Sequence, residues 1–194
     1  MKNTEIYTIN TNAETYAFSS FSENAHQLIG NALCACNVKK RKPLIACIGS
    51  DLVLGDSLGP LVGTMLIKKN ISAYVYGTLG SPITAKEIAC AKSHLKVLHP
   101  NSFIIAIDAA VGKTDDIGLI KVSDKGLKPG LGVDKNLGVI GDCSIIGIVA
   151  GKSLQNYNLF NLTRLNLIYT MAETIANGIE KFIFEFISKN ERTA

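Results

Sequence analysis

The stretch "IACIGSDLVLGDSLGPLVG", from Ile45 to Gly63, decides how the rest of the sequence is interpreted. It begins with an apolar run typical of a strand buried on both faces, and it ends in a helix-like pattern. The loop between them carries two aspartates, Asp51 and Asp56, and three glycines. A strand followed by a helix is the first half of a βαβ unit. The stretch therefore predicts an α/β fold and raises the question of what two carboxylates do at the end of a strand.

The same alternation continues along the chain. Further strand-like runs are "SAYVYG", "FIIAID" (Phe103 to Asp108), "GLIKVS" and "SIIGIVAG" (Ser144 to Gly151). Helical patterns occupy about 24–36, the stretch "SLGPLVGTMLIKKN", the stretch "AKEIACAKSHLKVL" after a capping box formed by Thr84 and Glu87, and about 163–189. Such alternation predicts a three-layer α/β fold, with a mainly parallel sheet and helices on both faces.

The length of 194 residues predicts a single domain over 1–194. Residues 1–20 are polar, with scattered aromatic side chains and no sustained period, and we interpret them as an N-terminal extension. The helix over 163–189 closes the domain.

Charge and hydropathy exclude several kinds of partner. The chain has 20 basic and 16 acidic residues, a net charge of +4, and lacks the concentrated basic stripe of a nucleic-acid-binding protein. We interpret the cluster "KKRK" at 39–42 as a solvated connection. Since no apolar run reaches the ~20 residues of a membrane span, we expect a soluble protein with neither a nucleic-acid partner nor a membrane partner.

The five cysteines are odd in number and irregular in spacing, and no charged-then-apolar leader precedes them. This usage is typical of a reducing cytoplasm. Cys34 and Cys36 are two residues apart in a helical pattern, so their side chains point to different faces. We expect them to be structural rather than a metal or redox pair.

The predicted fold also predicts where a site lies. In open α/β sheets, ligands bind beyond the carboxyl ends of the strands. Asp51 and Asp56 follow the first of these strands, and Asp108 ends the third. The three aspartates are therefore candidates for one crevice.

A pair of carboxyl groups held close together suits hydrolysis. Both cannot ionise easily, so one retains a proton while the other activates a water molecule. Asp56 and Asp108 are placed for this if their strands are neighbours. Two structural alternatives stay open: Asp56 caps the following helix, or Asp108 is paired for stability alone.

Other arrangements fit the sequence less well. Glycines 49, 55 and 59 match no phosphate-binding fingerprint, no G-x-S-x-G elbow is present, and the histidines lie away from the loops that follow the strands. The glycine-rich and lysine-rich loop over 124–142 is either a flap or a β-hairpin excursion.

Four motifs together resemble the YyaC-type sporulation proteins: "CIGSDLVLGDSLGPLVG", "VYGTLGSPITA", "FIIAIDAAVGK" and "KPGLGVDKNLGVIGD". That family is similar to the spore germination protease and more remotely to the hydrogenase maturation proteases. The resemblance covers about 43–164 and implies a phosphorylase/hydrolase-like α/β fold.

The resemblance also implies site residues. The catalytic aspartates of the germination protease lie in a D-x-L-G-P motif and at the end of an I-D-A strand, which here are "DSLGP" with Asp56 and "IDA" with Asp108. It implies no role for Asp51. The hydrogenase proteases add a histidine that reads nickel, and the corresponding position here is Ser144. We therefore expect no metal and no cofactor.

The resemblance implies a spore-associated peptidase of the cytoplasm, in the forespore or spore core. Its partner would be a protein or peptide substrate such as a spore protein, and a homo-oligomer stays open. Two alternatives remain: a catalytically inactive binding or regulatory protein of sporulation, or a small-molecule hydrolase or phosphorylase. For the latter, an anionic ligand would be gathered by lysines, namely Lys113, Lys121, Lys125, Lys128 and Lys135.

Overall fold

The computed structural model describes residues 7–8, 15–129, 138–152 and 163–191. The strands are β1 (Tyr7–Thr8), β2 (Thr15–Ser19), β3 (Pro43–Cys47), β4 (Tyr74–Tyr76), β5 (Phe103–Gly112), β6 (Leu119–Ser123) and β7 (Cys143–Gly151). The helices are α1 (Ala25–Cys36), α2 (Leu58–Lys68), α3 (Ile88–Leu98) and α4 (Leu165–Glu191). Short 3-10 turns occupy Leu54–Ser57 and Thr114–Asp116.

The strands form one seven-stranded sheet in the order β1-β2-β6-β7-β5-β3-β4. Pairing is parallel from β4 through β3 and β5 to β7, and antiparallel from β7 through β6 and β2 to β1. Five strands (β2, β3, β4, β5 and β7) therefore run in one direction, and β1 and β6 run in the other. The predicted parallel set of β3, β4, β5 and β7 is contiguous within the sheet.

Strand β3 shows why the fold has three layers. All five of its residues are buried, and successive side chains point to opposite faces. Ile45 and Cys47 pack in the core with α1, α2 and α4, whereas Leu44 and Ala46 pack with α3. Helices cover both faces of the sheet, which confirms the predicted three-layer α/β architecture.

Several element boundaries differ from those predicted. Thr15–Ser19, assigned to the N-terminal extension, forms β2 and pairs with β6, with Phe18 in the core. Strand β5 does not end at Asp108 but continues to Gly112, because its last residues pair with β7. In both cases, pairing with a distant strand ordered residues that carry little local signal.

Helix α3 begins at Ile88, three residues later than predicted, because the capping box is only half formed. The Glu87 carboxylate accepts the Thr84 N–H (3.1 Å) and the Thr84 hydroxyl. The Thr84 hydroxyl oxygen in turn accepts the Lys86 N–H (3.3 Å) rather than that of Glu87. Residues 84–87 consequently form a turn ahead of the helix.

The loop over 124–142 is described at its two ends only. Leu127 and Ile140 exchange both backbone hydrogen bonds, each 2.9 Å long, as an antiparallel bridge. The middle of the predicted flap or hairpin, residues 130–137, lies outside the described residues. None of the helices that the structure describes is long and apolar enough to cross a membrane.

Candidate functional site

A loop that folds back on itself positions Asp56 beside the end of β3. One residue beyond the strand, the Ile48 N–H still donates to the Ile107 carbonyl of β5 (2.8 Å). The Ser50 N–H then donates to the Asp56 carbonyl (3.1 Å), which closes the loop. Gly49 lies at the fold with φ +139°, and a Cβ there would be 2.0 Å from the Asp56 carbonyl oxygen. Backbone contacts that only glycine permits therefore fix Asp56 at the strand end.

Helix α2 holds the same loop from the other side. A Cβ at Gly59 would lie 2.1 Å from the Ile48 carbonyl oxygen, and one at Gly63 would lie 1.9 Å from the Gly77 carbonyl oxygen. The helix thus lies directly on the backbone beyond β3 and β4. Asp56, in the 3-10 turn just before this helix, has little freedom to move away from the sheet.

Asp108 lies within β5, on the face of the sheet that α3 covers. It is two residues beyond Ala106, which packs in the core beneath α3, and side chains two apart in a strand share a face. Its partner in β7 is Ile146. The Asp108 Oδ1 accepts the N–H of Ala109 (2.8 Å). Cys47, the last residue of β3, pairs with Ile107, so Asp108 lies level with the start of the loop that carries Asp56. The charge of Asp56 acts on Asp108 from this position.

The two carboxyl groups differ in their tendency to ionise. Burial first, and then the negative charge of Asp56, raise the pKa of Asp108 to about 8, although the Ala109 N–H partly opposes both. Burial also raises the pKa of Asp56, and the N–H of Ser50 opposes that rise. With a pKa of about 8, Asp108 is the member of the pair that holds its proton at neutral pH, and the negative charge of Asp56 is one of the two causes.

Such a pair can perform acid and base chemistry on one reacting group. The ionised member can take a proton from a water molecule, and the protonated member can donate one to the atom on which negative charge develops. Both functions need the two groups near a common point. The loop at Gly49 and the neighbouring strands β3 and β5 supply that placement.

The structure resolves what the sequence left open about Asp51 and about helix capping. Asp51 is exposed, in a turn where the Ser50 hydroxyl oxygen accepts the N–H of Leu52 (3.2 Å). The N-cap position of α2 belongs to Ser57, whose hydroxyl donates to the Leu54 carbonyl (2.7 Å). The capping interpretation of Asp56 is therefore wrong, because a 3-10 turn carries the chain past Asp56 before the α-helix starts.

The four described lysines among those proposed to gather an anion are exposed or paired with another carboxylate. Lys121 forms an ion pair with Asp116 (2.9 Å), and Lys113, Lys125 and Lys128 are exposed. Lys135 lies outside the described residues.

Ser144 is buried, and its hydroxyl donates to the Lys125 carbonyl (2.8 Å). Among the residues that the structure describes, no three His, Cys, Asp or Glu side chains are grouped so as to hold a metal ion. Cys47 and Cys143 are buried, and burial raises the pKa of the partly buried Cys34 to about 11. Cys34 therefore stays protonated at neutral pH, in keeping with a structural role.

Sequence reasoning missed the groups that tune the two carboxyls. The N–H groups of Ser50 and Ala109 are backbone donors and leave no signal in the residue type. Ser144 drew attention only through the resemblance, although its hydroxyl anchors the start of the 124–142 loop.

Comparison with known proteins gives a family. Residues 17–178 match the family described as "Protein of unknown function (DUF1256)". The chain is 41% identical over 140 residues to "Uncharacterized protein YyaC" of Bacillus subtilis (strain 168), a match that covers 71% of this chain and 68% of that protein.

A solved structure is also similar to the chain: the NiFe hydrogenase maturation protease HycI from Thermococcus kodakarensis KOD1, at 17% identity. That match covers 74% of this chain and 93% of the other, with a TM-score of 0.46. Because the family model matches residues 17–178 and the chain is 41% identical in sequence to YyaC, the chain belongs to the DUF1256 family of proteins of unknown function.

Proposed function

We propose that this protein is a spore-associated peptidase of the cytoplasm that hydrolyses a peptide bond with Asp56 and Asp108. The observation that carries the proposal is the placement of the two aspartates beside each other, Asp56 in the loop after β3 and Asp108 in the neighbouring strand β5, where burial and the charge of Asp56 raise the pKa of Asp108 to about 8. Sites that perform acid and base chemistry at neutral pH commonly separate two carboxyls in this way. The resemblance to YyaC-type sporulation proteins supports the forespore or spore core as its location.

The two aspartates have different roles in this proposal. The Asp56 carboxylate takes a proton from a water molecule, whose oxygen forms a bond to the carbonyl carbon of the substrate. Asp108 donates its proton to the carbonyl oxygen, so the intermediate carries no full negative charge. When the intermediate collapses, the proton held by Asp56 passes to the amide nitrogen and the carbon–nitrogen bond breaks. Asp108 takes back a proton from a hydroxyl of the intermediate, which restores both aspartates to their starting states. No metal and no cofactor takes part in these steps.

A peptide library tests the proposal over many candidate substrates at once. The full chain is incubated with peptides derived from a whole proteome, and new peptide termini are identified by mass spectrometry. We expect the parent protein to generate new termini, and Asp56→Asn and Asp108→Asn each to slow cleavage at least about 100-fold.

Asp51→Asn is the matched control, because it changes an exposed aspartate of the same loop. It should retain the parent rate. The proposal would be contradicted if Asp56→Asn and Asp108→Asn generated new termini at the same rate as the parent. A parent protein that generates no new termini would also contradict the proposal.

A further inference from the structure

The outer edge of strand β4 is an open edge of the sheet. Strand β4 is last in the sheet order and pairs with β3 on one side, and no other described strand pairs with its other side. The outward N–H and C=O groups of an edge strand are a template on which another extended segment can pair. Tyr74, in this strand, is 49% exposed.

An exposed apolar side chain flanks the strand on each face of the sheet. On one face, Gly63 of α2 touches the backbone of Gly77 just beyond β4, and Ile67 lies one helical turn further on the same side of that helix. Ile67 is 55% exposed. We call strand β4 together with Ile67, Tyr74 and Leu98 the β4 edge surface.

Leu98 occupies the corresponding position on the other face. His94 of α3 packs edge-on against Tyr76, with ring centroids 6.5 Å apart, and Leu98 lies one turn beyond His94 on the same side of the helix. The ring of the next residue, His99, is 4.4 Å from that of Tyr74, and its Nε2 is 2.8 Å from the Tyr76 hydroxyl. Leu98 is 54% exposed. Exposed apolar side chains of α2, β4 and α3 therefore surround the outer side of β4, which pairs with β3 alone among the described strands.

Two exposed lysines lie in or beside this surface, whereas the neighbouring Lys69 is already ion-paired with Glu180 (2.7 Å). Lys42 and Lys68 are both exposed, and the Lys42 Nζ lies 5.3 Å above the ring of Tyr74. A second copy paired edge to edge would bring its own lysines against these, which is unfavourable. An acidic segment would be attracted instead.

We propose that the β4 edge surface binds an extended, acidic segment of a partner protein as an additional strand of the sheet. The backbone of the segment forms hydrogen bonds with β4. Its apolar side chains contact Ile67 on one face of the sheet, or Leu98 and Tyr74 on the other. Its acidic side chains contact Lys42 and Lys68. Nucleic acid is the other polyanion to consider, but it gains little from exposed Ile and Leu side chains beside an open strand. The proposal does not depend on the carboxylate pair.

Random peptides displayed on phage and selected on the full chain test this surface. We expect the enriched peptides to alternate apolar and acidic residues. Synthetic copies should bind Ile67→Glu and Leu98→Glu at least about tenfold more weakly than the parent in Kd, since each change buries a like charge at the contact. On binding, amide exchange should slow at Tyr74–Tyr76.

Val97→Glu is the matched control. Val97 is 77% exposed and lies in α3, the helix that contains Leu98. It is two residues from the buried Leu95 and is therefore on the side of the helix that faces away from the sheet. It should leave the Kd unchanged, and the melting temperatures of all three variants should match the parent.

The proposal is overturned if the selection enriches no peptide, or if the enriched peptides are not acidic. It is also overturned if Val97→Glu weakens binding as much as the other two variants do. Finally, it is overturned if the parent self-associates in sedimentation and Ile67→Glu abolishes that self-association. A single-stranded oligonucleotide is the alternative ligand. If it binds the parent but not Lys42→Ala, and leaves amide exchange at Tyr74–Tyr76 unchanged, the ligand is nucleic acid rather than an added strand.

Discussion

The Asp108 carboxyl group experiences two effects that act in the same direction. Burial disfavours its charged form, and the neighbouring charge of Asp56 disfavours it again, so its pKa rises to about 8. An ordinary surface aspartate would be ionised throughout the physiological range. In this protein Asp108 is the member of the pair that can donate a proton at neutral pH.

This raised pKa predicts how stability depends on pH. Below about pH 4, both the folded and the unfolded state keep the proton on Asp108. Between about pH 4 and 8 the unfolded chain loses it while the folded chain retains it, so the free energy of unfolding falls as the pH rises. Asp108→Asn has no titrating group at this position, so its free energy of unfolding does not fall for this reason as the pH rises. We expect the variant to exceed the parent in stability by on the order of 1–4 kcal/mol at pH 8, and to match it near pH 4.

Urea denaturation of parent and variant at a series of pH values measures the difference. Asn can still accept the N–H of Ala109 through its Oδ1, so the substitution changes the charge and little else. A free-energy difference between the two proteins that stays constant from pH 4 to 8 would show that Asp108 titrates normally.

At the scale of elements, the contact between α2 and the backbone beyond β3 holds the site together. A methyl group at position 59 would lie 2.1 Å from the Ile48 carbonyl oxygen, so Gly59→Ala must push the helix away from the sheet. We expect this variant to lose about 1–3 kcal/mol in the free energy of unfolding, since overpacking has that cost. The displacement also carries Asp56 away from Asp108.

Gly80→Ala is the control for this prediction, because no atom lies within 4 Å of a Cβ at that position. It should change the free energy of unfolding by less than about 0.5 kcal/mol. Chemical denaturation of both variants gives the comparison, and equal stabilities would contradict the tight packing of α2.

The elements that could be predicted from sequence are those with a strong local pattern. Strands β3, β5 and β7 could be predicted from their nearly continuous apolar runs, and helix α4 from its 3.6-residue period. Strand β2 was missed although Tyr16 and Phe18 alternate with small residues, because five residues in a polar context carry little signal. The extension of β5 to Gly112 depends on pairing with β7, which no local pattern contains.

At the scale of the whole molecule, the larger of the two clusters of buried side chains in the described residues lies on the α1, α2 and α4 side of the sheet. Phe182 of α4 is 1% exposed, and its ring lies 6.4 Å from that of Phe103 in β5. We expect Phe182→Ala to cost about 3–5 kcal/mol, as large-to-small changes in a packed core do. Phe184, two residues along the same helix, is 72% exposed.

Phe184→Ala is therefore the control and should lie within about 0.5 kcal/mol of the parent. Thermal and urea unfolding of the two variants measure the difference. A small cost at position 182 would mean that α4 does not pack on the sheet through this ring.

The candidate site itself could be predicted only in part, because it depends on the order of strands in the whole sheet. The sequence identified Asp56 and Asp108 through their positions after apolar strands, on the condition that those strands are neighbours. That condition holds, since β3 pairs with β5. The different environments of the two carboxyls could not be predicted, because they come from burial and from backbone donors supplied by the fold.

The scarcity of acidic residues from 57 to 107, where Glu87 is accompanied by five lysines, was visible in the sequence, but the sequence does not show which of those lysines lie at a common surface. Averaged over the chain, the net charge is only +4. Only the folded molecule brings Lys42, which precedes β3, over the ring of Tyr74 in the outermost described strand, β4.

Titration of the Asp108 carboxyl carbon by ¹³C NMR, assigned by comparison with Asp108→Asn, is the decisive experiment on the carboxyl pair. We expect a pKa of about 8 in the parent. In Asp56→Asn the pKa should fall, because one of the two causes is removed, but it should stay above the ordinary value of 3.8 because burial remains. An Asp108 pKa near 4 in the parent, unchanged by Asp56→Asn, would contradict the paired carboxyls on which the proposed peptidase depends.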